Sequence, residues 1–156
     1  MKAVPTFNTL AVSLSGQPIS HVWNGDGSAI FLEIGELTPA TRRRRDGSLC
    51  NPRGQVSLAV ESSWRIEDNH TIVCGSWDEK ELWPAAFDNL RQGRIKACRL
   101  FGMLPEIEVV TETGLRLLSF STAGGQPEWY IIDRRGEKSL ECCVKGGKLQ
   151  LTFPKA

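Results

Sequence analysis

The stretch from Arg94 to Phe153, RIKACRLFGMLPEIEVVTETGLRLLSFSTAGGQPEWYIIDRRGEKSLECCVKGGKLQLTF, decides the fold class. It divides into short strand-like segments: Arg94–Leu100, Glu106–Thr111, Leu115–Ser121, Glu128–Asp133, Ser139–Val144 and Lys148–Phe153. Gly102, Gly114, Gly124-Gly125, Gly136 and Gly146-Gly147 stand between them. Short strands separated by glycine turns at this spacing predict an antiparallel meander.

Upstream, Gln55–Glu61 alternates strictly and puts Val56, Leu58 and Val60 on one face, the pattern of a half-buried strand. Trp64-Arg65-Ile66 reads as its continuation past a bulge at Ser62-Ser63, and Glu67–His70 as the turn into a strand at Thr71–Cys74. Ile19–Trp23 and Ala29–Ile34 flank Asn24-Gly25-Asp26-Gly27, a hairpin signal. Phe7, Leu10, Ala11 and Leu14 recur at helical spacing, with Thr6 as the expected N-cap and Gly16 as the stop. A second helix is expected within Trp77–Arg91, where Pro84 suits a first turn and Phe87 and Leu90 share a face. The expected architecture is one α+β domain over residues 1–156. Its curved, mainly antiparallel sheet is a meander of about 8–10 short strands, accompanied by an N-terminal helix and one short central helix.

The chain has 156 residues, 19 Lys+Arg against 18 Asp+Glu, and 40% apolar residues, which excludes disordered, fibrous and disulfide-scaffold classes. Such a length buries a core without a metal or disulfide staple. Cys50, Cys74, Cys98, Cys142 and Cys143 form an odd set with no C-x-x-C, which favours reduced thiols in the cytoplasm. Ala3–Gly25 carries no charged residue before Asp26, but its longest apolar run is Leu10-Ala11-Val12, too short for a secretory signal or a membrane helix.

Motifs of known chemistry are broken or absent. Cys74-Gly75-Ser76-Trp77 departs from the papain-type signature at the second cysteine, and both histidines, His21 and His70, lie upstream of it. Gly25-x-Gly27 begins like a dinucleotide fingerprint but leads into a strand. Walker, G-x-S-x-G and H-E-x-x-H patterns are missing. No histidine stands at ligand spacing from a cysteine, and Cys142-Cys143 on a strand point to opposite faces, one expected in the core and one outside. No catalytic residue, metal or cofactor is assigned. Glu106 and Glu108 fall on a solvated strand face, and Asp78 reads as a helix cap.

Two features point to a binding surface. Arg42-Arg43-Arg44-Arg45 sits in the long polar segment Thr38–Gly54 and reads as a solvated loop or a protein-partner surface. The neutral remainder of the chain argues against nucleic acid. Trp77 and Trp83 bracket the charged Asp78-Glu79-Lys80-Glu81 run, so at least one is expected to stay exposed as an anchor. The expected partner-binding set is therefore Arg42, Arg43, Arg44, Arg45, Trp77, Asp78, Glu79 and Trp83.

The order of a short helix ending in Gly16-x-Pro18, a hairpin closing at Phe31-x-x-x-Gly35, a strand entering Trp64-Arg65-Ile66, and then Gly75-Ser76-x-Asp78 is similar to small bacterial proteins of the domain-of-unknown-function kind, over residues 6–120. These include immunity proteins of contact-dependent and polymorphic toxin systems. The resemblance implies a binding role, with a toxin domain as partner, and transfers no functional residue. The leading expectation is a non-enzymatic cytoplasmic protein-interaction protein of the immunity type. The alternative is a small-molecule-binding or enzymatic β-rich domain whose curved sheet encloses a pocket, with His21, Arg65 or Asp78 converging in it.

Overall fold

The computed structural model describes residues 2–125 and 128–154. Helix α1 (Ala3–Leu14) leads into β1 (Ile19–Asn24), β2 (Ile30–Thr38), β3 (Arg53–Val60), β4 (Ser63–Glu67) and β5 (Ile72–Gly75). One 3-10 turn, Lys80–Leu82, precedes α2 (Trp83–Arg91). The strands β6 (Ile95–Phe101), β7 (Glu106–Thr111), β8 (Arg116–Phe120), β9 (Trp129–Asp133), β10 (Leu140–Lys145) and β11 (Lys148–Thr152) complete the α+β domain.

The strands form two open antiparallel sheets rather than one meander: a six-stranded sheet in the order β1-β2-β3-β9-β10-β11 and a five-stranded sheet in the order β5-β4-β8-β7-β6. The division falls between Val60 and Ser63. Trp64-Arg65-Ile66 does not continue β3 past a bulge; it starts the second sheet. The amides of Glu61 and Ser62 both donate to the Glu128 carbonyl at this corner, at 2.8 and 3.2 Å. β9 then returns to pair with β3, Leu58 facing Ile131 and Val60 facing Trp129.

One core is shared by all layers. Leu32, Leu58 and Ile131 from the six-stranded sheet meet Ile66, Ile107 and Leu117 from the other, and every one of them is fully buried. Each helix packs against an edge strand of both sheets, α1 on β6 and β11 and α2 on β1 and β5. The amphipathic stripe expected for α1 is the face it buries: Phe7, Leu10, Ala11 and Leu14. Its start differs from expectation. The helix begins at Ala3, because Pro5 lies in the first turn, where a missing N–H breaks no helical bond. Thr6 is therefore inside the helix, its hydroxyl donating to the Lys2 carbonyl. Gly16, at φ +81°, ends the helix and donates its amide to the Ile95 carbonyl at 2.7 Å.

The central helix lies within Trp77–Arg91 as expected and starts only at Trp83, after a closed turn at residues 75–78 and the 3-10 turn. Trp83, Trp64 and Phe87 then make an aromatic cluster with ring centroids 5.6–6.2 Å apart, and the Trp83 indole N–H donates to the Gly75 carbonyl at 3.1 Å. No helix among the described residues is long and apolar enough to cross a membrane.

Removing the Trp83 ring empties a site between α2 and β5. Trp83→Ala is expected to lower unfolding free energy by about 3–5 kcal/mol, read by urea denaturation, whereas Trp77→Ala, whose ring lies outside the core, is expected to change it by less than about 0.5 kcal/mol.

Candidate functional site

Strand alternation gives the six-stranded sheet a second face, away from the core. One cross-strand row on it runs Trp23, Phe31, Ala59, Tyr130 and Cys143, and the next runs His21, Glu33, Ser57, Ile132 and Glu141. The segment 39–52 folds over these rows and leaves a cleft of about 940 Å³. Trp23 and Phe31 stack at 4.1 Å with planes 10° apart and form one apolar wall.

Glu33 sits on the cleft floor and is 2% exposed. A buried carboxylate needs its lone pairs filled. Here Oε1 accepts from the Trp23 indole N–H at 3.1 Å, and Oε2 accepts from the Gly54 amide at 2.8 Å and from the Ser57 hydroxyl. Arg134 closes the network, its Nη1 donating to the Gly54 carbonyl at 3.1 Å and to Ser57 Oγ at 2.8 Å. Burial holds the Arg134 guanidinium below its ordinary pKa against the pull of Glu33, and the neighbouring Arg53 charge adds to that depression. Tyr130 is pushed up to about 12 by burial and by the surrounding carboxylates. Gly54 has no room for a side chain: a Cβ there would lie 2.5 Å from the Ile34 nitrogen.

The arginine run has an ordered structure of its own. Arg43 and Leu49 form a β-bridge, the Arg44 amide donates to the Ser48 carbonyl, and the Cys50 amide donates to the Arg42 carbonyl. Asp46 caps the tip, accepting from the Ser48 amide and hydroxyl, and these bonds hold its carboxyl below the usual range. Two guanidiniums are consumed in the same hairpin: Arg43 binds the Gly47 carbonyl, and Arg44 binds Ser48 Oγ and the Leu49 carbonyl. Only Arg42 and Arg44 of the four line the cleft. The other end of the segment is tied to β1 by His21 Nε2 and Asn51 Oδ1, 2.9 Å apart.

Trp77, Asp78, Glu79 and Trp83 do not act as one group. Trp83 is 2% exposed and leaves the candidate surface, because its ring completes the core beneath α2. Trp77 is 89% exposed, yet its indole N–H reaches Ser63 Oγ at 3.2 Å. Asp78 closes the turn that carries it, Oδ2 accepting from the Gly75 amide at 2.7 Å, instead of capping a helix. Ser76 locks the same turn to β4: its amide donates to the Trp64 carbonyl and its hydroxyl accepts from the Trp64 amide. Glu79 is exposed beside it.

His21, Arg65 and Asp78, expected to converge in a pocket, do not line the cleft. Trp23, Glu33, Arg53, Ser57, Tyr130 and Arg134 do, and sequence reading missed them. The one available signal was Glu33, a lone charge inside the apolar run Ile30–Ile34. No family model, curated protein or solved structure matches this chain.

The cysteines are all free. Cys142 lies in the core, while Cys143 faces the opposite side as expected but is only 4% exposed. Burial pushes the Cys98 and Cys142 thiols up to about 12 and raises Cys74 and Cys143 as well. Glu106 and Glu108 are partly buried instead of solvated: Glu106 accepts from the Ser119 hydroxyl and the Ser121 amide. Among the described residues, no group of three or more His, Cys, Asp or Glu is placed to hold a metal ion.

Two outcomes follow from this arrangement. Glu33→Gln keeps the shape but offers one acceptor oxygen where two are used, so it is expected to cost about 1–3 kcal/mol in urea denaturation. Because the thiolate is the reactive form, an aromatic disulfide reagent at neutral pH is expected to titrate one thiol per folded chain, Cys50, and all five after unfolding.

Proposed function

We propose that this chain is a non-enzymatic cytoplasmic protein that works by binding a partner protein through the Trp77 turn. In its immunity-type form the partner is a bacterial toxin domain, held inactive in the complex. The observation that carries this reading is a large aromatic ring left 89% exposed on a turn closed at both ends by hydrogen bonds. Exposed indole gains the most when an interface covers it, and tryptophan is the residue most often found at interface hot spots. A ring already fixed by its bond to Ser63 loses little further freedom on binding.

The surroundings define the partner's surface. Asp78, Glu79 and Glu81, which follow Trp77 in the chain, are exposed, and the Lys80 ammonium lies 5.5 Å over the Trp83 ring. The complementary surface is a basic patch with an apolar pocket at its centre. Leu82, 57% exposed, extends the apolar contact.

A photo-crosslinking amino acid placed at Glu79, exposed two residues from the intact Trp77, in cells of the source organism is expected to capture one protein that the same group at Lys96 does not. Identical adducts from both positions, or none from position 79, would refute the interaction. For the toxin form, expression of the captured protein is expected to arrest growth, with rescue by the native chain and at least tenfold weaker rescue by Trp77→Ala. A captured protein that leaves growth unchanged rejects the toxin form alone.

A further inference from the structure

We infer that the cleft beneath residues 39–52 is a binding site for a small organic anion, a carboxylate or phosphate carried on a planar ring, independent of the Trp77 surface. Its volume of about 940 Å³ matches that of small-molecule sites. Four arginines line it, Arg42, Arg44, Arg53 and Arg134, against one buried carboxylate. That carboxylate is already spent: both oxygens of Glu33 are occupied by donors from the protein. Arg44 is spent on the Ser48 hydroxyl and the Leu49 carbonyl.

Three guanidiniums remain for a ligand. Arg42 and Arg53 have no side-chain hydrogen bond or ion pair among the described residues. Arg134 is anchored by Nη1 alone, and its partners there are neutral oxygens. Gathering unpaired guanidiniums in one cleft is unfavourable by mutual repulsion, and an anion between them relieves it. Guanidinium groups bind carboxylate and phosphate through two parallel N–H bonds, which gives the choice of head group. The stacked Trp23–Phe31 wall and the half-buried Tyr130 and Ile132 give the choice of a flat ring for the remainder. The Trp23 indole is fixed by its bond to Glu33, so the apolar wall is in place before a ligand arrives.

The test uses the full chain, labelled for amide NMR and titrated with phenyl phosphate, benzoate, inorganic phosphate and benzyl alcohol. Phenyl phosphate or benzoate is expected to shift the Trp23 indole N–H and the Gly54 amide, while benzyl alcohol at the same concentration leaves them in place. The tighter of the two anions identifies the head group. Inorganic phosphate is expected to bind at least tenfold more weakly than phenyl phosphate if phosphate is preferred, and equal affinities would overturn the ring contact. The double variant Arg42→Ala, Arg53→Ala removes two exposed side chains with no hydrogen bond or ion pair among the described residues, so it is expected to unfold at the same urea concentration as the native chain and to bind the preferred anion at least tenfold more weakly. Lys96→Ala is expected to bind it unchanged. The site is refuted if neither anion shifts Trp23 and Gly54, if the double variant binds as tightly as the native chain, or if benzyl alcohol binds as well as the anions. None of these results depends on Trp77.

Discussion

A single buried carboxylate organises the outer half of this molecule. Glu33 is taken out of water on β2, and its three donors come from the two strands that flank it: the Trp23 indole on β1, and the Gly54 amide and Ser57 hydroxyl on β3. The charge is tolerated because every bond is made, and the bonds in turn set the register of β1, β2 and β3 on that face. Segment 39–52 leaves β2 and re-enters at β3, so its closing end is held by the same carboxylate through Gly54. The glycine is required there, since a side chain would strike the backbone of Ile34.

Local patterns were enough to read the elements, and much less so their assembly. Phe7, Leu10, Ala11 and Leu14 show the buried face of α1, and the alternation of Val56, Leu58 and Val60 shows the buried face of β3, because burial of one face imposes a period on the sequence. The partition into two sheets is carried by Glu61-Ser62, whose amides share one distant carbonyl, and nothing within a few residues signals that. The same holds for β9 beside β3. For the sites, Trp77 and Trp83 look equivalent in the sequence, which predicts only that at least one stays exposed; Trp83 turns inward because Pro84 starts a helix against the core, and Trp77 stays out on the turn before it. Arg53 and Arg134 lie far apart in sequence, and only the β3–β9 pairing brings them to one cleft.

The near-zero net charge takes on a different meaning once the fold is known. The cleft concentrates arginines and the Trp77 turn concentrates carboxylates, so the balance in composition is a sum over two regions of opposite sign. Each has its own architecture, a loop clamped over a sheet face in one case and a tight turn clamped to β4 in the other, and hydrogen bonds to neighbours fix Trp23, Glu33 and Arg134 in the first and Trp77 and Asp78 in the second.

The insertion of β9 between β3 and β10 also has a consequence for biosynthesis. β3 is made early, and its partner on one side, β9, follows only after the whole five-stranded sheet has been translated. Until then the apolar strand Val56–Val60 has an unpaired edge, open to pairing with another chain. Contacts of such long sequence separation close slowly. The nascent protein therefore passes through an interval in which one of its most buried strands is also an open, adhesive edge, and that interval closes only when Trp129–Asp133 emerges.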